Sequence, residues 1–189
     1  MSKAHQALHY RDHMVPNTRV VFTRSKAHTV LSEYAEKEIT KSVVKEDRGA
    51  MGLGDYPCWS LNELARTIMH TAKPPVVIQP VLEDFKEIRL VILEDTIVAK
   101  EKSNSDKIFW KNRIFGGVTK IMTPGQEAVE FGKEMMKIGR FPWAYMDLFI
   151  AGGAIFLSEI NLSGSNSGLK AYGLNKLKRK MIEKWLEDK

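Results

Sequence analysis

Two acidic side chains and one amide lie within runs of apolar residues, where a charged side chain is unexpected unless it has a partner or a function. Asp147 belongs to the apolar run before Gly152 and Gly153, and Glu159 and Asn161 belong to the run after them. A glycine pair between two apolar runs predicts a β-hairpin. Because Glu159 and Asn161 are two residues apart, their side chains project from the same face of a strand.

The length of the hairpin loop decides whether Asp147 joins this pair. A three-residue loop at 152–154 would place Asp147 opposite Glu159, whereas a two-residue loop would turn Asp147 to the other face. In the first case three oxygen ligands converge, and two carboxylates with an amide suit a hard cation such as Mg²⁺. In the alternative, the carboxylates form ion pairs with lysine or arginine, and the hairpin alone leaves both interpretations open.

A lysine and a group of glycines follow one another in the first third of the chain. Lys45 ends a short β-rich run, and Gly49, Gly52 and Gly54 come soon after it. The backbone N–H groups of such a loop could cover phosphate oxygens, with the lysine as a point charge. The pattern is neither a Walker P-loop nor a good Rossmann fingerprint. An ordinary hairpin loop is therefore the alternative interpretation.

Composition excludes several other classes of protein. A chain of 189 residues with 43% hydrophobic content can bury a sizeable core, as one domain or two small lobes. The single cysteine, Cys58, excludes a disulfide framework and a cysteine metal cluster, and it favours a reducing compartment. No apolar run approaches the roughly 20 residues of a membrane span, and the N-terminus lacks a signal-peptide core. We expect a cytoplasmic protein with no membrane partner.

The net charge of +6 raises the question of a nucleic-acid partner. Acidic and basic residues are interleaved along most of the chain, as on an ordinary solvated surface. The one dense basic run, 176–180, lies on a C-terminal helical pattern, and we interpret it as the solvent-facing side of that helix. A nucleic-acid-binding protein that uses this run is a rival hypothesis, which predicts a steep salt dependence of binding. It leaves the carboxylate hairpin unexplained.

Helical and strand patterns alternate along the rest of the chain. Arg89 opens a strand after an acidic stretch, and its simplest role is an ion pair with Glu83 or Glu87. Ser60 and Glu63 form a capping-box pattern at the start of a helix. Helical spacing is found at 4–11, 25–37, 60–70, 125–137 and near the C-terminus, and strand patterns at 18–22, 42–45, 76–82 and on both sides of a turn at 94–95.

The order of these pieces is more specific than any one of them. The pieces are a strand lysine at Lys45, the glycine loop, the strand ending in Gln79-Pro80-Val81-Leu82, the Glu87-Ile88-Arg89 run, an asparagine before Gly116-Gly117, and Asp147 followed by Glu159-Ile160-Asn161. In this order the chain resembles the ATP-grasp superfamily and, within it, the RimK-type and glutathione-synthetase-like carboxylate–amine ligases. The resemblance covers essentially the whole chain.

The resemblance implies an α+β fold in which two α/β lobes with antiparallel sheets clasp a nucleotide. The whole chain, 1–189, would be one ATP-grasp domain. Its smaller ATP-binding lobe would span about 19–82, and its larger metal- and substrate-binding lobe would comprise 1–18 and 83–189. The sequence given starts at the lysine that normally follows the family's N-terminal substrate domain, so we expect either a fragment or a minimal ligase. For a working ligase, we expect a second copy or a partner polypeptide to complete the substrate site.

The resemblance also implies roles for single residues in binding ATP. Lys3 and Lys45 would contact phosphates beneath a flap at 49–54 that includes Gly49 and Gly52. The backbone of a hinge would contact adenine, with Leu82 rather than Pro80 supplying the N–H donor. The hinge residues are Gln79, Pro80, Val81 and Leu82. Glu87 would hold the ribose hydroxyls.

For the reaction itself, the resemblance implies an acyl-phosphate intermediate. ATP would phosphorylate the carboxylate of an amino acid or peptide, and an amine would attack to give an amide, ADP and phosphate. Arg89 would offset charge on the transferring group, and Asn112 would lie near the acyl-phosphate. Mg²⁺, or alternatively Mn²⁺, would be held by Asp147, Glu159 and Asn161.

The chain departs from the family pattern in its substrate-side elements. The usual Asn-x-Ser-Pro-Gly becomes a longer sequence at 161–168, and Lys100 or Lys102 stands where an acceptor-side arginine is usual. A non-catalytic nucleotide-binding or regulatory module is therefore a second alternative. Such a module should show a broken metal triad, whereas Asp147, Glu159 and Asn161 are all present.

Overall fold

A computed structural model describes residues 1–48, 53–103, 117–164 and 173–187. Two antiparallel sheets carry the fold within these ranges, and helices pack against them. The α-helices are α1 (Lys3–His9), α2 (Ala27–Glu36), α3 (Leu61–Arg66), α4 (Gln126–Gly139) and α5 (Leu174–Glu187). The strands are β1 (Arg19–Val21), β2 (Ser42–Glu46), β3 (Asp55–Cys58), β4 (Val76–Pro80), β5 (Lys86–Leu93), β6 (Thr96–Ser103), β7 (Val118–Met122), β8 (Trp143–Ala151) and β9 (Ala154–Asn161). None of the helices in these ranges is long and apolar enough to cross a lipid bilayer.

The smaller sheet has the strand order β1-β4-β2-β3. Its strands are short, and β1, β2 and β4 are rich in valine, which suits a half-buried pleated surface. Val44, Val76 and Ile78 project from one face into a core that α2 and α3 close with Tyr34 and Leu64. Residues that alternate with these, Lys45 and Gln79 among them, lie on the other face and so towards the larger sheet.

Helix α3 begins as the capping pattern predicts. The Ser60 hydroxyl accepts a hydrogen bond from the Glu63 N–H at 3.2 Å, which satisfies one of the first free donors of the helix. The α-helix ends at Arg66, earlier than the predicted 60–70, and a π-helical turn at Thr67–Thr71 completes the segment.

The larger sheet has the strand order β7-β6-β5-β8-β9. One of its faces is apolar and forms a core with α1 and α4, through Ile88, Leu90, Met146, Leu148 and Leu157 among others. On the other face, α5 covers an aliphatic and aromatic patch around Val91 and Tyr145. The remainder of that second face carries charged residues, and it is the part that turns towards Lys45 of the smaller sheet.

The predicted turn between β5 and β6 is confirmed. Leu93 pairs with Thr96 across Glu94 and Asp95, and Glu94 has a φ of 50°, which the tight turn requires. Arg89 lies in the middle of β5 rather than at its start, because the strand begins at Lys86. Arg89 therefore has a paired strand on each side of it.

An ion pair between β1 and α2 makes the smaller lobe sensitive to acid. Hydrogen bonds from Arg19 and then from Lys37 lower the pKa of Glu33 from 4.5 to about 2. Because the folded-state pKa lies below the unfolded one, this stabilisation is complete above pH 4.5 and is lost as the pH falls through about 2. We expect Glu33→Gln to lower the free energy of unfolding near neutral pH, with the difference from wild type disappearing towards pH 2, as urea titrations at several pH values would measure.

The matched control for this prediction is Glu183→Gln. Glu183 also pairs with an arginine, Arg179, but both side chains are largely exposed on α5, and exposed pairs contribute little to stability. A loss of stability in Glu33→Gln that stayed constant from neutral pH to pH 2 would contradict the assignment.

Candidate active site

The β8–β9 hairpin brings the carboxylates of Asp147 and Glu159 together through a β-bulge that the sequence did not predict. Ala151 pairs with Ala154, so the loop has two residues, Gly152 and Gly153, with φ values of 56° and 79°. Of the two loop lengths that the sequence left open, the two-residue loop is therefore the one that forms. A β-bulge then adds one residue to β9, so that Leu148 pairs with Leu157 and Asp147 pairs with Glu159. The bulge reverses the change of face that a two-residue loop would otherwise cause.

A row of charged residues crosses the larger sheet at this level. Lys100 on β6 pairs with Arg89 on β5, Arg89 pairs with Asp147 on β8, and Asp147 pairs with Glu159 on β9. Directly paired residues of an antiparallel sheet lie on the same face, about 5 Å apart at Cβ. The four residues therefore form a continuous row of two cations followed by two carboxylates, on the face that turns towards the smaller sheet.

Asp147 is buried and bound by two cations. Nε and Nη2 of Arg89 each donate to its carboxylate at 2.7 Å, and the Lys102 ammonium lies 2.9 Å away. Burial opposes ionisation of Asp147, but Lys102 and Arg89 outweigh it, so its pKa lies well below the usual range. The expected ion pair of Arg89 with Glu83 or Glu87 is thus replaced by one with Asp147, because β5 pairs directly with β8.

Glu87 also lies in this network, beside Lys102. The Lys102 ammonium donates to the Glu87 carboxylate at 2.7 Å, and Lys102 pairs with Glu87 in the β5–β6 register. Lys102 therefore lies between two carboxylates, those of Glu87 and Asp147, and Asp147 is also bound by Arg89. A ribose-binding role for Glu87 stays a prediction, and in this structure its partner is Lys102.

Glu159 and Asn161, at the end of β9, line a recess of 420 Å³. The other residues that line it come from the N-terminus and from the segment after β2: Met1, Ser2, Lys3, Asp47 and Arg48. Burial raises the pKa of Glu159 and the Asp147 carboxylate adds to this, while Lys3 and Lys45 act in the opposite direction. A carboxylate that is desolvated in this way gains from a cation in the recess.

Lys45 reaches across from the smaller sheet. Its ammonium donates to Oε1 of Gln79 at 2.6 Å and to the Ser158 hydroxyl at 3.3 Å, and it lies 5.8 Å from the centre of the Phe149 ring. Burial lowers the pKa of Lys45, which Asp55 and Glu159 partly offset. Ser158 is the residue inserted by the bulge, so the same irregularity that aligns the carboxylates also provides a partner for this lysine.

The predicted hinge residues lie at the end of β4 and directly after it. Gln79 is buried, and its Nε2 has no hydrogen-bond partner among the described residues. Pro80 ends the strand, and the Val81 N–H donates to the carbonyl of Lys41 at 3.0 Å. The N–H of Val81 is therefore used within the lobe, and the donor role of Leu82 stays a prediction.

Several predicted site residues cannot be placed. Gly49, Gly52 and Asn112 lie outside the described residues, and so do residues 165–168 of the altered 161–168 sequence. Lys3 is placed: its ammonium donates to the Glu46 carbonyl at 3.3 Å and lies 3.7 Å from Asp55. Ser158 and Phe149 were missed by the sequence analysis, since neither the bulge nor the facing of the two sheets has a local sequence signal.

The residues of the recess offer oxygen ligands to a hard divalent cation, but the neighbouring Asp147 is already bound by Arg89 and Lys102. Within the described ranges no three residues among His, Cys, Asp and Glu form a group that could hold a metal. Glu159 and Asn161 offer oxygen ligands to the recess, which suits Mg²⁺. Asp147 is adjacent, but it would become a ligand only by giving up part of its contact with Arg89 or Lys102.

Three known structures to which the chain is similar are those of enzymes. The chain is similar to the ATP-grasp ligase PsnB in complex with Mg and ADP, with 18% identity, a TM-score of 0.64, and coverage of 88% of this chain and 51% of PsnB. It is similar to D-alanine–D-alanine ligase from Bacillus anthracis in complex with ATP, with 17% identity, a TM-score of 0.70, and coverage of 97% and 65%. The macrocyclase MdnC from Microcystis aeruginosa matches with 15% identity, a TM-score of 0.57, and coverage of 86% and 53%.

At these identities the structural likeness shows the fold, and the chain spans about half to two thirds of the length of each of these proteins. No curated protein sequence matches it significantly. A family model of the RimK-like ATP-grasp domain matches residues 2–185. The match covers nearly the whole chain and agrees with the two antiparallel sheets and with the predicted α+β fold. The chain belongs to the RimK-like ATP-grasp family.

Proposed function

We propose that the chain is the nucleotide-binding part of an ATP- and Mg-dependent ligase that joins a carboxylate to an amine. The observation that carries this proposal is the hydrogen bond from Lys45 of the smaller sheet to Ser158, the residue next to Glu159. It brings Lys45 beside the row of Arg89, Asp147 and Glu159 on the larger sheet, in a chain with the RimK-like ATP-grasp fold. Cations and carboxylates placed together between two sheets suit a polyphosphate with its metal.

In the proposed reaction, a carboxylate oxygen of the first substrate attacks the γ-phosphorus of ATP, and ADP leaves. The amine nitrogen of the second substrate then attacks the acyl carbon; the C–N bond forms, the C–O bond to phosphate breaks, and the amine loses a proton. Bound Mg²⁺ or Mn²⁺ supplies positive charge to the phosphate oxygens, and Glu159 and Asn161, with Asp147, would hold it. Lys3 and Lys45 offset the charge of the phosphates.

Arg89 is proposed to bind the transferring phosphoryl group, and Asp147 is proposed to bind the metal ion. In this structure the two side chains form an ion pair with each other. Arg89 contributes to catalysis only if some of its donors turn to the transferring phosphoryl group, and Asp147 only if it turns an oxygen to the recess. Lys102 remains beside Asp147 in either arrangement, because it is buried and also bound to Glu87. The ion pair therefore keeps both charged groups satisfied until a nucleotide is present.

We propose an amino acid or a peptide as the substrate on each side of the new bond. PsnB and MdnC are described with precursor peptides, and the Bacillus anthracis enzyme is a ligase of D-alanine. We also propose that a second copy or another polypeptide covers the recess, since acyl-phosphates hydrolyse unless water is excluded. Light scattering with and without AMPPNP and Mg²⁺ would measure such an association.

The test of the proposed function is ADP release with ATP, Mg²⁺ and a panel of amino acids and acidic peptides. We expect ADP formation that depends on the amine, a product whose mass corresponds to an amide, and loss of both in Lys45→Met. Lys41→Met is the matched control, because Lys41 is a half-exposed lysine directly before the same strand and pairs only with the exposed Glu83 among the described residues. AMPPNP binding without ADP release from any substrate pair would instead support a non-catalytic module.

A further inference from the structure

Gln6 in α1 is not part of the charged row, but its side chain binds the backbone of strand β9. Its side chain is 2% exposed, its Nε2 donates to the Ile160 carbonyl at 2.9 Å, and its Oε1 accepts from the Ile160 N–H at 2.6 Å. β9 is the edge strand of the larger sheet. One amide that both donates to and accepts from the same residue completes the backbone hydrogen bonds of that edge as a neighbouring strand would.

Ile160 is the residue between Glu159 and Asn161. Its side chain is 3% exposed and packs in the core of the larger lobe, on the face opposite to its two neighbours. Fixing the backbone of Ile160 therefore fixes the direction of both neighbouring side chains, which line the recess. Gln6 is positioned to act on Glu159 and Asn161 without touching either of them.

Helix α1 is also attached to the other wall of the recess. The Ala4 N–H donates to the Asp47 carboxylate at 2.8 Å, and Asp47 and Lys3 both line the recess. Lys3 and Gln6 are three residues apart on α1, so they lie on neighbouring positions of one helical face. One short helix thus carries a phosphate-side lysine at its start and the contact with β9 one turn later.

We propose that Gln6 is a positioning residue for the metal, and that through Ile160 it sets the distance between Lys3 on α1 and the ligand oxygens of Glu159 and Asn161 on β9. This inference rests on the proposed function, since it concerns the cation held at the same recess. A purely structural Gln6 would affect stability alone. A positioning Gln6 also affects how much Mg²⁺ is needed to bind the nucleotide.

The test uses Gln6→Met, which keeps the length and volume of the side chain. It removes the two hydrogen bonds with Ile160 and a longer one, of 3.3 Å, that Nε2 donates to the Met1 carbonyl. The dissociation constant of AMPPNP is measured over a series of Mg²⁺ concentrations and in EDTA. We expect the Mg²⁺ concentration at half effect to rise roughly tenfold or more, as is typical when a group that orients a metal ligand is lost. The affinity in EDTA should stay within about twofold of wild type, because the direct nucleotide contacts remain.

Gln6→Asn is the milder variant and carries the test if Gln6→Met does not fold. It keeps both the donor and the acceptor of the amide on a side chain one methylene shorter, so its shift in Mg²⁺ dependence should be the smaller of the two. Hydrogen exchange of residues 159–161 gives a readout that needs no nucleotide, and it should be faster in Gln6→Met than in wild type.

Two controls separate positioning from loss of stability. Tyr10→Phe removes a buried hydroxyl at the end of the same helix that has no hydrogen-bond partner among the described residues, and it should leave the Mg²⁺ dependence unchanged. Leu64→Ala lowers stability from the core of the smaller lobe and should also leave it unchanged.

The outcomes distinguish this inference from the function it rests on. If wild type binds Mg-AMPPNP and folded Gln6→Met shows the same Mg²⁺ dependence, the positioning role of Gln6 is wrong and the proposed function stands. If wild type binds no AMPPNP at any Mg²⁺ concentration, the proposed function fails and the positioning role fails with it.

Discussion

Replacing Arg89 by methionine is expected to lower the free energy of unfolding by about 3–5 kcal/mol, the usual cost of removing one partner of a buried ion pair. Asp147 is 6% exposed and would keep only Lys102, which it shares with Glu87. Two carboxylates would then depend on a single cation. Urea unfolding of the variant and wild type near neutral pH would measure the loss.

A double variant identifies the cause of that loss. Arg89→Met combined with Asp147→Leu removes the whole pair and leaves Lys102 with Glu87, so we expect it to recover most of the lost stability, because apolar replacement of a buried ion pair is often neutral or stabilising. Arg179→Met is the surface control, since its pair with Glu183 is largely exposed, and it should change stability little. A double variant as unstable as Arg89→Met would contradict an uncompensated charge as the cause.

Glu159→Gln is expected to weaken nucleotide binding in the presence of Mg²⁺ by about 100-fold or more, since even groups that only orient metal ligands are worth 10–100-fold in metal affinity. In EDTA the direction should differ. Glu159 is then an anion beside the phosphates, so replacing it by a neutral amide should leave affinity unchanged or improve it. Isothermal titration with AMPPNP in Mg²⁺ and in EDTA would measure both effects.

The control for Glu159→Gln is Glu130→Gln, a change of the same chemistry on the exposed surface of α4. It should alter neither titration. An equal loss of affinity for Glu159→Gln in Mg²⁺ and in EDTA would mean that Glu159 supports the nucleotide directly, and the metal role would then have to be abandoned.

The sequence by itself determined the local elements and the family of this protein. The turn at Glu94 and Asp95 and the cap at Ser60 are visible because each depends on a few consecutive residues. The position of Lys45 at the end of a strand and the charged residues in two apolar runs are visible for the same reason. The order of these signals along the chain was enough to predict the α+β fold and the ATP-grasp family, which the family match confirms.

The tertiary structure decided how the charged residues are paired. The bulge at Ser158 sets Asp147 opposite Glu159 although the loop has two residues, and no local pattern encodes that irregularity. The partner of Asp147 is Arg89, which is 58 residues away along the chain, and Gln6 binds Ile160 at a separation of 154 residues. Such contacts form only when whole strands and helices have packed, because the burial of their apolar faces fixes which polar groups meet.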